Sequence, residues 1–446
     1  MFLLMLWAAA DPFLFTDANK LGVEGRAWTT LTAPYDRLPA KAEKEVRSEV
    51  WSLSRHSAGM AVRFRSDAER LAFRWKLTNK RLAMDHMPAT GVSGLDLYVR
   101  DERGTWRWLA VGRPTALENQ FETAALPPGK TREYLLYLPL YNGIASLEIG
   151  TPRGATLESI APPGKPIVFY GTSITHGACA SRPGMTTSAI LGRKLNRPIV
   201  NLGFSGNGKL ELPLGKLLTE IDAAVYVIDC LPNCSAAEVK ERTIPLVKAI
   251  RAARPSTPIL LVEDRTYANT HAYPARAKDQ AARRAALREA YDQMTAEGVA
   301  SLHYLEGPAQ LGDDDEGTVD GSHPTDLGFL RQAAVFEPKL RYLLAPGPIS
   351  SNELAGYPQE QSYAPGDRVS FRISCAEPTF DAIIERLGAK VEVVHTQRGL
   401  KGTRHPIPAD ASANGCNWPE TWAFTLPNDW RSGYYRVRLT AGKRTA

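Results

Sequence analysis

Alternation of apolar and polar residues dominates the first third of the chain. Four short runs alternate with a period of two residues and are separated by turn residues, at 71–77, 95–99, 106–108 and 147–149. This period is typical of strands that bury one face. The pattern predicts an antiparallel β-sandwich over 19–161, after a lead-in at 1–18.

The middle of the chain follows a different pattern, in which short apolar runs alternate with longer helical stretches. Strands are predicted at 167–170, 199–202, 223–229, 259–263 and 301–304, and helices at 183–195, 236–253, 277–298 and 324–344. Such alternation predicts an α/β domain over 166–345, with a doubly wound, flavodoxin-like parallel sheet. We expect the last helix to start near Pro324 and to line one side with Leu327, Leu330, Ala334 and Leu340.

The final hundred residues return to the strand pattern. Alternating runs at 369–373, 422–424 and 435–439 predict a small β-sandwich over 350–446. Proline-rich segments at 162–166 and 345–348 are predicted linkers. Because the sequence stops directly after a predicted strand, we expect it to be a piece of a longer chain.

Composition narrows the class of protein. The apolar fraction is 43% and the charged fraction 23%, as in globular proteins. The net charge is only +6 and the basic residues are dispersed, which disfavours a nucleic-acid partner. Residues 1–10 resemble a signal peptide without a basic start and favour a secreted or periplasmic bacterial protein. A mis-assigned start or a buried first strand is the alternative, which keeps a cytoplasmic location open. No other segment has the ~18 apolar residues of a membrane span.

The five cysteines do not suggest a disulfide framework, because their number is odd. Cys230 and Cys234 lack partners at zinc spacing, and no metal site is predicted. Cys179 and Cys230 both follow predicted strand ends. A single bridge between them and two buried free thiols are both open interpretations.

Candidate catalytic groups occur in four loops of the α/β region. Ser173 follows the first predicted strand, Gly206 the second and Asn233 the third, while Asp320 and His323 precede the last helix. The carboxyl ends of parallel strands meet at one edge of a sheet. We therefore expect these residues to form one site.

Residue types in these loops suit ester hydrolysis by a serine nucleophile. His323 can take the proton of Ser173, and Asp320 can orient the imidazole. The backbone N–H groups of Ser173 and Gly206 and the side-chain amide of Asn233 can form an oxyanion hole. An α/β-hydrolase is disfavoured, because that fold requires Gly-x-Ser-x-Gly and position 175 is threonine.

The four loops resemble the conserved blocks of the SGNH (GDSL-type) hydrolases. Ser173 matches the serine of the first block, Gly206 the glycine of the second and Asn233 the asparagine of the third. The pair Asp320-x-x-His323 matches the last block, and the resemblance covers about 166–345. Thr172 and Pro232 depart from the commonest forms of the first and third blocks, which suggests a subfamily.

Two further segments resemble known modules. Residues 94–98, Gly-Leu-Asp-Leu-Tyr, are similar to a motif in the amino-terminal sandwich of one group of bacterial SGNH esterases, often described as acting on acylated carbohydrates. Residues 362–367 and 430–435 resemble the leading sandwich of dimethylformamidase-type large subunits.

The resemblance implies a carboxylic ester hydrolase (EC 3.1.1.-) that removes O-acyl groups, above all O-acetyl, from carbohydrates through an acyl-enzyme. Its substrate would be a small-molecule or glycan ester, and it would need no cofactor or metal. A short-chain lipase or thioesterase-type acyl hydrolase and a non-catalytic carbohydrate-binding module are the alternatives. The oligomeric state stays open.

Four further polar residues are expected to lie near the predicted site. Thr172, Arg182 and Arg265 are predicted substrate contacts, and for Arg182 a loop-fixing role is the alternative. His176 is close to Ser173 in sequence, and we expect a turn to direct it away.

Overall fold

Two units make up the chain in the computed structural model, one ending at Leu344 and the other beginning at Ala345. The structure describes residues 11–344, 354–360, 362–387, 391–407, 416–442 and 444–445. The leader predicted at 1–10 lies outside these ranges. Every helix within them is too short or too polar to cross a lipid bilayer.

The first unit opens with two antiparallel sheets that pack on a shared core. One sheet has the order β1-β8-β3-β6 and the other β5-β4-β7-β2-β9. Phe64, Trp75 and Leu136 belong to the core between them. The sheets form the predicted sandwich, and it includes part of the predicted lead-in. The strands are β1 Phe13–Asp17, β2 Ala61–Ser66, β3 Ala72–Leu77, β4 Leu95–Arg100, β5 Trp106–Gly112, β6 Glu118–Glu122, β7 Arg132–Tyr137, β8 Ile144–Pro152 and β9 Glu158–Ser159.

Short helices connect these strands. They are α1 Ala18–Leu21, α2 Ser48–Ser54 and α3 Ala89–Val92, with a 3₁₀ turn at Ala40–Lys44. The segment 87–94, whose polar composition is typical of a loop, thus contains a helical turn.

A five-stranded parallel sheet forms the second part of this unit. Its strands are β10 Ile167–Gly171, β11 Ile199–Gly203, β12 Val225–Asp229, β13 Ile259–Val262 and β14 Leu302–Leu305. They lie in the order β11-β10-β12-β13-β14, which confirms the predicted flavodoxin-like sheet. Strand order reverses between β10 and β12, and ligands of such sheets bind beyond the carboxyl ends of the strands at that point.

Helices cover both faces of the parallel sheet. They are α4 Ser173–His176, α5 Thr187–Leu195, α6 Leu212–Leu218, α7 Ala236–Ala253, α8 Pro274–Ala296 and α9 Asp326–Leu344. Val168 and Tyr170 of β10 belong to a core shared with α6, α7 and α8. Ile167 and Phe169, on the opposite face, belong to a core shared with α5 and α9. Short 3₁₀ turns occur at Pro183–Met185, Leu231–Asn233 and Pro308–Gln310.

The last helix differs from its prediction in start and buried face. Pro324 forms an extended bridge with Thr318, so α9 begins only at Asp326. Leu327 and Leu330 are 43% and 48% exposed. Of the predicted face, Leu340 lies in the core, where the other buried positions are Phe329, Ala333, Phe336 and Leu343. Apolar residues on two sides of the helix made either face plausible, and the side with the larger aromatic rings is buried.

The second unit is a smaller pair of antiparallel sheets. Their orders are β15-β16-β19 and β18-β17-β20-β21, and Phe371, Ile384 and Trp422 belong to a core between them. This is the predicted carboxyl-terminal sandwich. Its strands are β15 Ala355–Pro358, β16 Arg368–Ser374, β17 Thr379–Leu387, β18 Val391–Lys401, β19 Trp422–Thr425, β20 Tyr434–Ala441 and β21 Arg444–Thr445.

Candidate active site

Ser173 lies directly beyond β10, at the point where the strand order reverses. Thr172 caps the helix α4, because its hydroxyl accepts a hydrogen bond from the N–H of Ile174. The helix ends after one turn at Gly177, whose φ of 113° suits glycine. At Gly171, a Cβ atom would lie 2.7 Å from the carbonyl oxygen of Asp229. The tight turn thus depends on glycine and fixes the position of Ser173.

A chain of short hydrogen bonds joins Ser173, His323 and Asp320. Ser173 Oγ lies 2.9 Å from His323 Nε2, and His323 Nδ1 lies 2.7 Å from Asp320 Oδ2. The other carboxylate oxygen of Asp320 accepts the backbone N–H groups of Ser322 and His323. The three residues predicted to act together are therefore in direct contact.

The electrostatic setting keeps Asp320 ionised. Partial burial works to raise the pKa of its carboxyl, but hydrogen bonds from the backbone and ring of His323 and from the Ser322 N–H outweigh burial. The pKa of Asp320 is therefore below its ordinary value. An ionised carboxylate accepts the Nδ1–H of His323, which leaves Nε2 as the acceptor that faces Ser173.

The second and third loops lie against the nucleophile turn. At Gly208, a Cβ atom would lie 2.0 Å from the carbonyl oxygen of Gly171, so this loop passes very close to the turn. The N–H of Gly208 donates to Asn233 Oδ1 at 3.3 Å, which leaves the NH₂ end of that amide for other partners. Gly206 has a φ of 69° and open space on its Cβ side. The predicted oxyanion donors thus come from loops that meet at the same strand ends.

The sandwich motif at 94–98 holds the loop that follows α4. Asp96 is fully buried and accepts hydrogen bonds from Arg182 Nη1 and from the N–H of Gly184, both at 2.8 Å. Trp108 Nε1 donates to the same carboxylate at 3.0 Å. Arg182 also donates to the hydroxyl of Tyr98 at 2.5 Å. The motif therefore joins the sandwich to the α/β part.

The three residues predicted to contact substrate are either bonded to another side chain or fully buried in this structure. Arg182 is held by Asp96, and Thr172 and Arg265 have no exposed surface. No hydrogen-bond partner occurs among the described residues for the guanidinium of Arg265. Their roles stay predictions without support from this geometry, and the ion pair favours the loop-fixing alternative for Arg182.

Burial also affects Asp229, at the end of β12. Its carboxyl lies beneath the nucleophile turn, and burial raises its pKa to about 6, against the opposing influence of Arg265 and a hydrogen bond from Thr175. This carboxyl has no contact with Ser173 or His323 in the hydrogen-bond network described above.

The sandwich contributes two residues that sequence reasoning missed. The hydroxyl of Tyr141 donates to the carbonyl oxygen of Ser173 at 3.2 Å, and its ring stacks on His176 at 4.1 Å. The ring of His86 lies 5.9 Å from that of His323. The only hint of these contacts in the sequence was the polar segment at 87–94, which directly follows His86 and has the composition of a functional loop. His176 itself is buried and bonds to the carbonyl oxygen of Leu140, directed away from the Ser173 hydroxyl as expected.

A cleft of about 660 Å³ opens beside the site. Ser205 and Asn207 of the second loop form one side, and the remaining lining comes from the sandwich and the segments before it. Leu53, Met84, Val92 and Tyr141 supply apolar surface, and Ser48, Glu49, Ser52, His56, Asn79 and Arg81 supply polar groups. The cleft can therefore bind a group that has both polar and apolar surface.

No disulfide joins Cys179 to Cys230 in the structure. Cys179 and Cys230 are both buried, and the open question of a bridge between them is answered in favour of free thiols. The described part of the chain holds no cluster of three or more His, Cys, Asp or Glu side chains suited to a metal ion.

Comparisons with known proteins agree with this architecture. The model of the "GDSL-like Lipase/Acylhydrolase family" matches residues 164–341, and that of the "N-terminus of Esterase_SGNH_hydro-type" matches 13–157. A third model, "N,N-dimethylformamidase beta subunit-like, C-terminal", matches 383–446. The resemblance in the sequence was to the leading sandwich of such subunits, whereas this model is of their C-terminal part. Curated proteins gave no match.

Solved structures give the same result. A protein from Bacteroides ovatus described as a GDSL-like lipase is 32% identical, with a TM-score of 0.71 over 74% of this chain and 98% of its own. The salicylyl-acyltransferase SsfX3 from a tetracycline biosynthetic pathway is 19% identical, with a TM-score of 0.63 over 75% of this chain and 99% of its own, and shares the fold. The chain belongs to the GDSL-like (SGNH) lipase/acylhydrolase family, in the group with the GxDLY amino-terminal domain, and is a carboxylic ester hydrolase.

Proposed function

We propose that the protein removes short acyl groups, above all acetyl, from hydroxyl groups of a carbohydrate or a similar polar alcohol. The observation that carries this proposal is the contact of Ser173 Oγ with His323 Nε2 at 2.9 Å, with Asp320 on the opposite ring nitrogen. A serine paired with an oriented imidazole is the arrangement that acyl transfer needs.

The reaction runs in two halves. His323 takes the proton of Ser173 as Oγ attacks the acyl carbon, and the oxyanion accepts the N–H groups of Ser173 and Gly206 and the amide of Asn233. The carbon–alkoxy bond then breaks, and His323 gives its proton to the leaving alcohol. Water, deprotonated by His323, attacks the acyl-enzyme, which releases the acid and restores Ser173. These steps need protein groups and water alone.

The alcohol is assigned to the cleft beside the site. A volume of about 660 Å³ falls in the range of sites for small organic ligands. Serine and asparagine side chains with an aromatic and aliphatic floor suit a sugar ring, which has both hydroxyls and apolar faces. Tyr141 bonds to the backbone carbonyl of Ser173 and the ring of His86 lies near that of His323, so the sandwich side approaches the site closely, which favours a short acyl group.

The test is the hydrolysis of p-nitrophenyl acetate, butyrate and octanoate by the wild type and by Ser173→Ala. We expect the acetate to be turned over fastest and the variant to lose at least roughly 10⁴-fold in kcat. Thr295→Ala, which removes an exposed hydroxyl near the carboxyl end of helix α8, is the control and should keep full activity. Acetylated sugars, tributyrin and an acyl thioester are then compared.

Three results would count against the proposal. Activity that persists in Ser173→Ala would reject the nucleophile. A preference for tributyrin or for the thioester would replace the carbohydrate assignment by the short-chain lipase or thioesterase alternative. A folded wild type that hydrolyses none of these esters would overturn the proposal as a whole.

A further inference from the structure

The strand that leads into the second loop lies at the edge of the parallel sheet. Among the strands that the structure describes, β11 pairs with β10 alone. The N–H of Ile167 in β10 bonds to the carbonyl oxygen of Pro198, just before β11. Successive carbonyls of a strand point to opposite sides, so every second carbonyl from Pro198 onward faces β10. The carbonyls of Asn201 and Gly203 belong to the other set and face away from β10. Buried carbonyls without a partner are costly, so this edge requires a donor from elsewhere.

Arg37, from the segment that precedes α2, supplies that donor. Its Nη1 donates to the carbonyl oxygens of Asn201 at 3.1 Å and Gly203 at 2.7 Å. Its Nη2 donates to Leu53 O at 2.6 Å and its Nε to His56 O at 2.9 Å. One guanidinium therefore binds two carbonyls of the strand and two of the segment that lines the cleft.

The setting of Arg37 is unusual for a cation. It is 1% exposed, and no carboxylate of the described residues lies within ion-pair distance. Burial lowers its pKa to about 9. Removing a charge from water without a counterion is expensive. The four hydrogen bonds to carbonyls offset part of that cost, and neither a lysine, with three donors, nor an apolar side chain could make all four.

The strand continues directly into the loop that holds Gly206. The guanidinium of Arg37 lies 5.0 Å from the ring centre of Phe204, and the N–H of Phe204 donates to the carbonyl oxygen of Gly171 at 3.0 Å. Phe204 is thus fixed on one side by Arg37 and on the other by the turn that presents Ser173. Two residues further along is the N–H that the proposed mechanism uses as an oxyanion donor.

We propose that Arg37 is a positioning residue for the oxyanion hole, a role that rests on the proposed function. By binding the free edge of β11 and the face of Phe204, it sets where the Gly206 N–H points. Arg37 touches no substrate and acts through the strand. The amino-terminal region would thereby contribute to the chemical step as well as to substrate binding.

The experiment compares Arg37→Lys with the wild type. An ammonium has three donors at one point and cannot reproduce a planar guanidinium that binds four carbonyls. We expect kcat on p-nitrophenyl acetate to fall roughly 10- to 100-fold, while KM stays within about twofold. The rate at which diethyl p-nitrophenyl phosphate modifies Ser173 should fall in parallel, because its phosphoryl oxygen occupies the same hole.

Arg251→Lys is the matched control. Arg251 also binds backbone carbonyls, those of Arg254, Thr257 and Ser301, and burial lowers its pKa too, but it lies at the amino ends of the strands. It should lose stability without loss of kcat per folded molecule. Equal kcat per folded molecule in Arg37→Lys and Arg251→Lys would overturn the inference and leave the proposed function intact.

A second variant decides the matter if Arg37→Lys does not fold. Phe204→Leu keeps all four carbonyls bonded and removes only the ring beneath the guanidinium. We expect roughly a threefold to tenfold lower kcat with little change in KM. An unchanged kcat would overturn the inference. Wild-type protein that hydrolyses no ester would instead overturn the proposed function.

Discussion

The buried carboxylate of Asp96, in the sandwich, lies 2.8 Å from Nη1 of Arg182 in the loop that follows the nucleophile helix. Asp96 has no exposed surface and Arg182 is 22% exposed. Removing one partner of a buried pair leaves the other without compensation, a far larger effect than in an exposed pair. This contact therefore fastens the sandwich to the catalytic part.

Asp96→Asn is expected to lower the free energy of unfolding by about 3 kcal/mol, because Arg182 stays partly buried without its counterion. Urea denaturation measures the change. The control is Lys165→Gln, which breaks the exposed pair of Lys165 with Asp222 and should have no measurable effect. Equal stabilities for the two variants would contradict the fastening role of Asp96.

Asn233→Ala is expected to reduce kcat about 10²- to 10³-fold with a small change in KM, because one oxyanion donor is lost. Steady-state kinetics on p-nitrophenyl acetate measures both constants. Asn196→Gly is the control, since Asn196 ends α5 in a left-handed conformation that glycine adopts readily. Retention of kcat within twofold in Asn233→Ala would remove that amide from the oxyanion hole.

Asp320→Asn is expected to reduce kcat about 10⁴-fold. Its amide can donate to Nδ1 of His323, which places the ring proton on Nε2 and removes the acceptor for Ser173. Since the pKa of Asp320 lies below its ordinary value, its carboxylate is lost only as pH falls through that lowered pKa. Retention of kcat within tenfold in Asp320→Asn would argue against the orienting role of Asp320.

Asp229→Asn is expected to change how stability depends on pH. The folded protein holds the proton of Asp229 more tightly than the unfolded chain, because the pKa rises from 3.8 to about 6. The protonated carboxyl of Asp229 therefore contributes most to the free energy of unfolding below pH 4. That contribution, about 3 kcal/mol in total, is lost as pH rises through about 6. The variant lacks this loss, so its stability relative to wild type should improve between pH 4 and pH 8. A difference that is constant over this range would contradict the prediction.

Local sequence carried most of the catalytic prediction. Ser173 follows an apolar run that is typical of a buried strand, and Asp320 and His323 are close enough in sequence for one turn to join them. By contrast, Tyr141 and Arg37 lie far from Ser173 in sequence and reach the site through tertiary packing. No periodicity marks such residues, because their role depends on where the sandwich docks. The buried face of α9 was mispredicted for a related reason, since the choice between two apolar sides depends on the shape of the sheet.

The binding of Arg37 to the free edge of β11 also has a consequence for how the protein folds during synthesis. An uncovered edge strand is a template for pairing with another chain. Arg37 precedes Gly203 by 166 residues, so a ribosome completes the covering segment long before the strand emerges. Amino-terminal regions generally fold first during synthesis. The residue that covers β11 is therefore already present in the chain when the strand emerges, which would limit the time for which its edge is open to pairing with another chain.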